Sequence, residues 1–204
     1  MDSQNKILDE ITNYFHSFPG IGRKTALRFT IQLLQQDSTF IKEFGQAIAT
    51  LPERIKNCKN CHNLSEGEEC AICTNIKRSD EIICVVQDIR DVIAIENTAQ
   101  FTGKYHVLGG VISPMDGIGP SNLKIDNLIN RIATNKTTKE IIMALPSTME
   151  GDTTAFYLFK KLQHFPLTIS TIARGISFGD QIEYADELTL GKSILNRVLY
   201  NSGK

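Results

Sequence analysis

The apolar residues near the N-terminus recur at helical spacing. One stripe covers residues 3–15, a second runs over 23–35 and a third over 39–51. Apolar side chains three and four residues apart line one face of a helix, so the pattern predicts three helices. We expect them to pack as a small bundle, and we expect Pro52 to end the third helix because proline is disfavoured in a helix interior.

Beyond residue 78, short apolar runs alternate with helical stripes. Four strands are predicted, over 82–86, 105–108, 139–145 and 167–172. The predicted helices cover 91–97, a segment capped by Ser121 that buries Leu123 to Ile132, 153–164, and a last segment capped by Thr189 that reaches Leu199. Strands that alternate with helices indicate the α/β class with a mostly parallel sheet, here within a multi-part α+β chain.

The first two helices are joined by Phe18-Pro-Gly-Ile-Gly22, and Arg23, Lys24 and Arg28 follow. The glycines allow a close approach and leave N–H groups free at the start of a helix, where a phosphate binds well. Lys24 and Arg28 are four residues apart and share a helix face. The pattern resembles the helix-hairpin-helix motif, which contacts the DNA backbone without reading its sequence. The alternative is a plain glycine-containing turn with solvated basic residues.

Two Cys-x-x-Cys pairs, Cys58 with Cys61 and Cys70 with Cys73, enclose eight residues that have no hydrophobic run. This spacing is typical of tetrahedral Zn²⁺, and a closed four-sulfur site is structural, since it keeps no open coordination position. Metal binding would supply the folding energy of the segment. Disulfide bonds are the alternative. His62 is left out of the ligand set because four cysteines already fill the site.

Composition narrows the class of protein. The 204 residues carry 22 basic and 23 acidic side chains, for a net charge of -1, so any contact with DNA must come from local patches. The chain has no apolar signal segment at its N-terminus and no run of eighteen apolar residues, which favours a cytoplasmic protein. The fifth cysteine, Cys84, lies in an apolar run and is expected to be a buried small hydrophobe.

Acidic residues follow two of the predicted strands. Asp88 comes after the first strand, and Glu150 and Asp152 come after the third. Ligands gather at the carboxyl ends of parallel strands, and carboxylates there can share Mg²⁺. The alternative is that these acids cap helices, as Asp152 would for a helix that begins at Thr153.

These parts, in this order and over nearly the whole chain, resemble the RecR family of bacterial recombination mediators. The segments that carry the resemblance are residues 18–28, the four cysteines, 105–110, 113–120, 172–175 and 183–187. The α/β part is then similar to a Toprim domain, the fold shared with topoisomerases and primases. The resemblance implies a helix-hairpin-helix bundle over 1–53, a four-cysteine zinc finger over 54–78, a Toprim domain over 79–175 and an oligomerising C-terminal segment over 176–204.

The resemblance also implies a function. The family is not thought to be catalytic, and it forms ring-like dimers or tetramers around DNA in the cytoplasm, in association with the nucleoid. It works with RecO, and in many bacteria with RecF, to help RecA displace single-strand-binding protein at gaps. The DNA-contact role carries over to Lys24 and Arg28, with Arg23 adjacent to them, and the zinc role to the four cysteines. No membrane partner is implied.

The sequence departs from the Toprim pattern at the first strand. Gln87 stands where a Toprim domain usually has Glu, and an amide is neither an acid/base nor a good Mg²⁺ ligand. The second acidic motif keeps Glu150 and Asp152 without a dense Asp-x-Asp. The remaining surface, with Asp88, is then open to RecO or to a weak metal. The competing functions are a Mg²⁺-dependent Toprim nuclease or primase-like enzyme and a zinc-held scaffold that binds only proteins.

Overall fold

The computed structural model describes residues 5–177 and 179–198. The chain divides after Arg54 into two compact units, one helical and one built around a parallel sheet. Among the described residues, no helix combines the length and the apolar character needed to cross a bilayer.

The helical unit is built on the pair α1 (Lys6–His16) and α2 (Arg23–Leu34). Their contact buries Thr12, Ala26 and Thr30, and the two threonine hydroxyls are hydrogen-bonded over 3.1 Å. Phe15 and Phe29 meet edge to face with ring centroids 5.7 Å apart. The first two predicted helices are therefore confirmed, and a buried polar pair helps to join them.

The third helix, α3 (Ser38–Arg54), has no buried residue. Its apolar side chains, including the stacked pair Phe40 and Phe44, are all partly open to solvent. The expected three-helix bundle is therefore wrong for α3, because an apolar stripe does not say what covers it. Pro52 lies inside α3 and does not end it. It gives up one hydrogen bond, to the carbonyl of Ile48, in an exposed last turn where water can replace the donor.

A small knuckle opens the second unit. It contains the antiparallel strands β1 (Lys56–Asn57) and β2 (Leu64–Ser65) and one turn of helix, α4 (Ala71–Thr74). Its buried core consists of the four cysteines, with Ile72 packed against them. So few buried apolar atoms cannot hold the segment folded without a further interaction among the sulfurs.

The sheet that follows has four parallel strands in the order β4-β3-β5-β6. The strands are β3 (Ile82–Val86), β4 (Lys104–Val107), β5 (Glu140–Ala144) and β6 (Thr168–Thr171). Each agrees with its predicted strand to within one residue at either end. The predicted parallel α/β sheet is confirmed.

Helices α5 (Ile89–Asn97), α6 (Ile125–Thr134) and α7 (Met149–Leu162) connect the strands. Two hydrophobic clusters lie among these elements. One is formed by residues from β3, β5, α6 and α7, including the fully buried Leu128 and Leu158, and the other includes Cys84, Val92 and Tyr105. Cys84 is 2% exposed and burial raises the pKa of its thiol to about 12, so its predicted role as a small hydrophobe is confirmed.

Helices α6 and α7 do not begin where the sequence predicted. Helix α7 begins at Met149, and the Thr148 hydroxyl accepts a hydrogen bond from the Gly151 N–H, so Asp152 lies in the first turn and is not the cap. Ser121 does not cap α6 either, since it sits in a separate 3₁₀ turn and α6 begins later, at Ile125. The start of α7 is thus set by Thr148, a residue outside the apolar stripe.

The C-terminal segment contains α8 (Glu187–Leu195). Its cap is Asp186, whose carboxylate accepts the N–H of Thr189, so the prediction of Thr189 as the cap was wrong. The predicted contribution of Leu199 lies outside the described residues. Several apolar side chains of this segment, including Leu188 and Leu195, are exposed.

Candidate nucleic-acid interface and metal centre

The turn between α1 and α2 is held in a defined shape. The His16 Nδ1–H donates to the carbonyl of Ile21 over 2.9 Å, and the Ile21 N–H donates to the carbonyl of Phe18. Gly20 has a φ of +78°, a conformation that favours glycine. His16 was not identified from the sequence, since a histidine in the last turn of a helix carries no distinctive signal.

The N-terminus of α2 is open toward solvent. Gly22 is the N-cap and offers no side chain to the first-turn N–H groups, and the first turn contains no acidic residue. The helix dipole and the unsatisfied N–H groups therefore present positive charge at this point. Such an end is suited to an anion such as a backbone phosphate.

Three basic side chains surround this helix end. Arg23, Lys24 and Arg28 are all exposed. Arg23 lies 3.5 Å from the carboxylate of Asp9, which neutralises part of its charge. Lys24 and Arg28 lie one helical turn apart, and the Arg28 guanidinium is 6.0 Å from the ring centroid of Phe29. The structure thus places the three predicted residues in the N-terminal half of α2.

The knuckle brings Cys58, Cys61, Cys70 and Cys73 together, with all four side chains buried. Their Sγ atoms lie within 4.8 Å of one another, and the Sγ atoms of Cys61 and Cys70 are 3.5 Å apart. All four thiols are free. A disulfide needs an S–S distance of about 2.05 Å, so the disulfide alternative is wrong.

The sulfur cluster fits Zn²⁺. Zn–S bonds of about 2.3 Å in a tetrahedron place the sulfurs about 3.8 Å apart, which agrees with the observed spacing. Among the described residues this is the one group of three or more potential metal-ligating side chains that come together.

The knuckle is joined to the sheet by backbone and side-chain contacts. The Val107 N–H of β4 donates to the carbonyl of Cys61 over 2.8 Å. Arg131 of α6 donates from Nη1 to the carbonyls of Tyr105 and Asn60, at 2.7 and 3.4 Å. Ile72 packs against both the cysteines and the second hydrophobic cluster. The metal-binding segment is therefore part of the structure that supports the sheet.

Two histidines meet beside this joint. The rings of His62 and His106 lie edge to face, with centroids 5.3 Å apart. The Nε2–H of His106 donates to the carbonyl of Lys124, and burial lowers the pKa of His106 to about 3, so the ring is neutral. His62 lies outside the cluster of four sulfurs and packs on its neighbour instead.

Asp88, just beyond β3, is the N-cap of α5. Its carboxylate accepts the Arg90 N–H and pairs with the Arg90 guanidinium, while the side chain of Asp91 accepts the Asp88 N–H. The hydrogen bonds from Arg90 hold the pKa of Asp88 below its usual range. Asp88 therefore caps a helix, which was the alternative to a role in binding Mg²⁺. Gln87 is half-buried at the end of β3, and its carbonyl accepts the Gly109 N–H.

Asp152 and Glu150 lie in the first turn of α7. Asp152 accepts a hydrogen bond from Arg174 Nη1, and Lys192 Nζ lies 3.6 Å from its other oxygen. Arg174, and then Lys192, hold the pKa of Asp152 below its usual range. The sequence did not identify these partners, since Arg174 is 22 residues away along the chain. The described residues show no cluster that gathers Asp88, Glu150 and Asp152.

Comparison with known proteins places each part of the chain. The family model for the RecR helix-hairpin-helix matches residues 8–51, and the model for the RecR four-cysteine zinc finger domain matches residues 55–75. The model for the Toprim domain matches residues 81–173, and the model for the C-terminal part of RecR matches residues 175–198. The predicted fold, with its helix-hairpin-helix part, four-cysteine finger and Toprim part, is confirmed.

Curated relatives match almost the full chain, and each of the following is named Recombination protein RecR. The relative from Bacteroides thetaiotaomicron is 53% identical over 194 residues, which cover 95% of this chain and 94% of the relative. The relative from Cytophaga hutchinsonii is 51% identical over 202 residues, which cover 99% and 98%. The relative from Flavobacterium johnsoniae is 52% identical over 198 residues, which cover 97% and 96%. The chain therefore belongs to the RecR family of recombination proteins.

Proposed function

We propose that the chain is a non-enzymatic recombination mediator that binds DNA without sequence preference. The observation that carries the proposal is the uncapped N-terminus of α2, with Lys24 and Arg28 exposed on one face and Arg23 beside them. These groups contact phosphates, which fix the position of a strand but do not report its sequence. The part of the chain over 1–53 would act as the DNA-binding domain.

The proposed mediator acts as an oligomeric clamp, a homodimer or tetramer. Exposed apolar side chains on α3 and on the C-terminal segment over 176–204 support this, since such surfaces are suited to contacts between copies. Two or three cations on one chain bind DNA weakly, and a ring that presents several copies adds their contributions through multivalency. The net charge of -1 fits a protein whose DNA contacts are local.

In this proposal the clamp acts with RecO, and in some bacteria with RecF, to promote RecA loading at single-strand gaps in the cytoplasm, at the nucleoid. Membership of the RecR family supports the partnership. The surface with Asp88, Glu150 and Asp152, in the Toprim part over 79–175, is the proposed contact for RecO. A structural Zn²⁺ held by the four cysteines braces the segment over 54–78.

The proposal assigns no covalent chemistry to the Toprim part. Gln87 offers no carboxylate, and Asp88 and Asp152 are each paired with an arginine. A metal-dependent phosphoryl transfer needs carboxylates that are free to bind Mg²⁺. Mg²⁺-dependent DNA cleavage or primer synthesis that disappears in a Glu150→Ala variant would replace the proposal with the enzymatic alternative.

The test combines Lys24→Ala with Arg28→Ala in the full-length chain. We expect weaker binding to gapped DNA of every sequence. The negative slope of log affinity against log salt concentration should decrease in magnitude by about 1.4–1.8, since two phosphate contacts are lost. Fluorescence anisotropy over a salt series measures both quantities. The matched control is Lys160→Ala with Lys161→Ala, two lysines in the last turn of α7. Unchanged affinity in a folded, equally oligomeric double variant would reject the assignment.

A further inference from the structure

A cavity of about 310 Å³ lies at the carboxyl ends of β5 and β6, and we call it the Arg174 cavity. Its polar lining comes from Ser147, which follows β5, from Arg174, which follows β6, and from Thr189 and Lys192 of α8. It therefore lies between the sheet and the C-terminal segment. Ligands of parallel α/β sheets bind at this end of the strands.

The cations of the cavity are held in place, but their donors are only partly used. The Arg174 side chain is 23% exposed, and its Nη1 donates to Asp152. Its Nε–H is buried and has no acceptor among the described residues. Lys192 Nζ lies 3.6 Å from Asp152, beyond ordinary hydrogen-bond distance. A guanidinium has five N–H donors, so one carboxylate leaves most of its capacity unused.

The charge of the cavity indicates an anion as its ligand. Two positive side chains face one negative side chain, Asp152, which is half exposed. The hydroxyl group of Ser147 adds a further donor on the lining, whereas the Thr189 hydroxyl is hydrogen-bonded to Asp186. An oxyanion with several oxygens accepts from a guanidinium fork, an ammonium and a hydroxyl at the same time, whereas a cation would be repelled.

We propose that the Arg174 cavity binds a phosphoryl anion, with Arg174 and Lys192 as its principal contacts and Asp152 as an internal competitor. The carboxylate of Asp152 occupies the cations in the free chain. An incoming phosphoryl group shares or displaces that contact and gains the unused donors. The site uses none of the residues at the α2 N-terminus, and its phosphate belongs either to a free polyphosphate or to the end or backbone of a nucleic acid.

A purely structural network is the competing explanation, in which Asp152 only ties Arg174 and α8 to α7. The two explanations differ for Asp152→Asn. If the network is only structural, this variant loses stability and gains no ligand. If the cavity binds phosphoryl groups, the variant removes the competitor and binds more tightly, by about threefold.

The experiment uses the full-length, zinc-loaded chain with Lys24→Ala and Arg28→Ala, so that the α2 end does not contribute. Calorimetric titration with pyrophosphate should show saturable binding, one ligand per chain. Asp152→Asn should tighten it, and Lys192→Gln should weaken it about tenfold. The control is Lys160→Gln, which removes a lysine of α7 outside the cavity and should change nothing.

Two outcomes would overturn the site. One is the absence of saturable pyrophosphate binding in both the parent and Asp152→Asn, a comparison that does not depend on a variant that unfolds. The other is an equal loss in Lys160→Gln and Lys192→Gln. Competition with oligonucleotides separates the sources: a 5′-phosphorylated strand that competes better than its 5′-hydroxyl counterpart supports a terminal phosphate, equal competition supports the backbone, and no competition supports a free polyphosphate.

Discussion

The helical unit and the α/β unit with its four-cysteine knuckle are stabilised in different ways. Within the described part of the helical unit only Thr12, Ala26 and Thr30 are buried, while α3 leaves its apolar face open. The α/β unit has two hydrophobic clusters and a core of four sulfurs. The difference indicates that the second unit has the larger buried core, whereas the apolar face of α3 in the first unit is exposed.

The basic side chains of the two units also differ, in whether they are paired with a carboxylate. Lys24 and Arg28 are exposed in the N-terminal half of α2, and the first turn of this helix has no acid. In the α/β unit, Arg78, Arg90 and Arg174 each pair with a carboxylate. An exposed cation keeps its attraction for a phosphate, whereas a paired one must first give up a partner. The comparison supports DNA contact by the helical unit.

The largest expected effect is the loss of the metal centre. Cys58→Ser should abolish stoichiometric zinc and unfold the knuckle, because metal binding supplies about 10–16 kcal/mol in zinc-finger peptides. Elemental analysis should find one zinc per parent chain. In the presence of a chelator, the parent should unfold at the same temperature as the Cys58→Ser variant. Cys84→Ala, outside the cluster, is the control and should keep its zinc. Freshly purified parent protein without zinc would contradict this prediction.

Matched truncations in the two units test the contrast directly. Leu128→Ala removes a fully buried side chain of α6 and should cost about 2–5 kcal/mol of unfolding free energy in urea. Ile48→Ala removes a side chain of α3 that is 55% exposed, and it should change that free energy by less than about 0.5 kcal/mol. Light scattering should instead show a shift toward smaller oligomers for Ile48→Ala. Equal costs in urea would remove the distinction between the units.

A partly buried ion pair should give the α/β unit an acid-sensitive component. Arg78 Nη1 and the Tyr105 O–H donate to Glu96 over 2.8 and 2.7 Å. Burial raises the pKa of Glu96, but these hydrogen bonds outweigh it and hold the pKa below its ordinary value of 4.5. The carboxylate therefore contributes stability that is complete above about pH 4.5 and is lost as the pH falls through the lower folded value.

Glu96→Gln should accordingly cost about 1–3 kcal/mol at neutral pH and flatten the stability curve below pH 4.5, as measured by urea unfolding at several pH values. Glu68→Gln is the control, since it removes an exposed partner of Lys59. A Glu96→Gln curve parallel to that of the parent at acidic pH would show that the pair does not carry this dependence.

The smallest expected effect concerns the polar contact inside the helical unit. Thr12→Val removes one hydroxyl of the pair with Thr30, which keeps its bond to the carbonyl of Ala26. The cost should be about 1 kcal/mol, seen as faster amide hydrogen exchange in α1 and α2. Thr50→Val, at a partly buried position of α3 whose hydroxyl bonds only within α3, is the control and should leave exchange in α1 and α2 unchanged. Equal exchange rates in parent and Thr12→Val would mean that apolar contacts alone hold the pair.

The sequence predicted those features that depend on local pattern. The strands were located to within one residue because each is a short run of apolar and β-branched side chains. The cysteine cluster followed from spacing alone. The first residues of the helices were harder to predict from the sequence. Thr148 and Asp186 cap their helices by accepting backbone N–H groups, and this role leaves no apolar pattern. The Arg174 contact with Asp152 depends on how the chain folds over 22 residues, which no local pattern records.

The bond from the Val107 N–H to the Cys61 carbonyl has a consequence for the assembly of the whole chain. Strand β4 is the outermost strand on its side of the sheet, and its unpaired backbone groups would otherwise attract a strand from another molecule. The knuckle covers the edge strand β4 only while the knuckle is folded. Loss of zinc would unfold the knuckle and expose the edge of β4. We therefore expect chains without the metal to aggregate through this edge before a loss of DNA affinity can be measured.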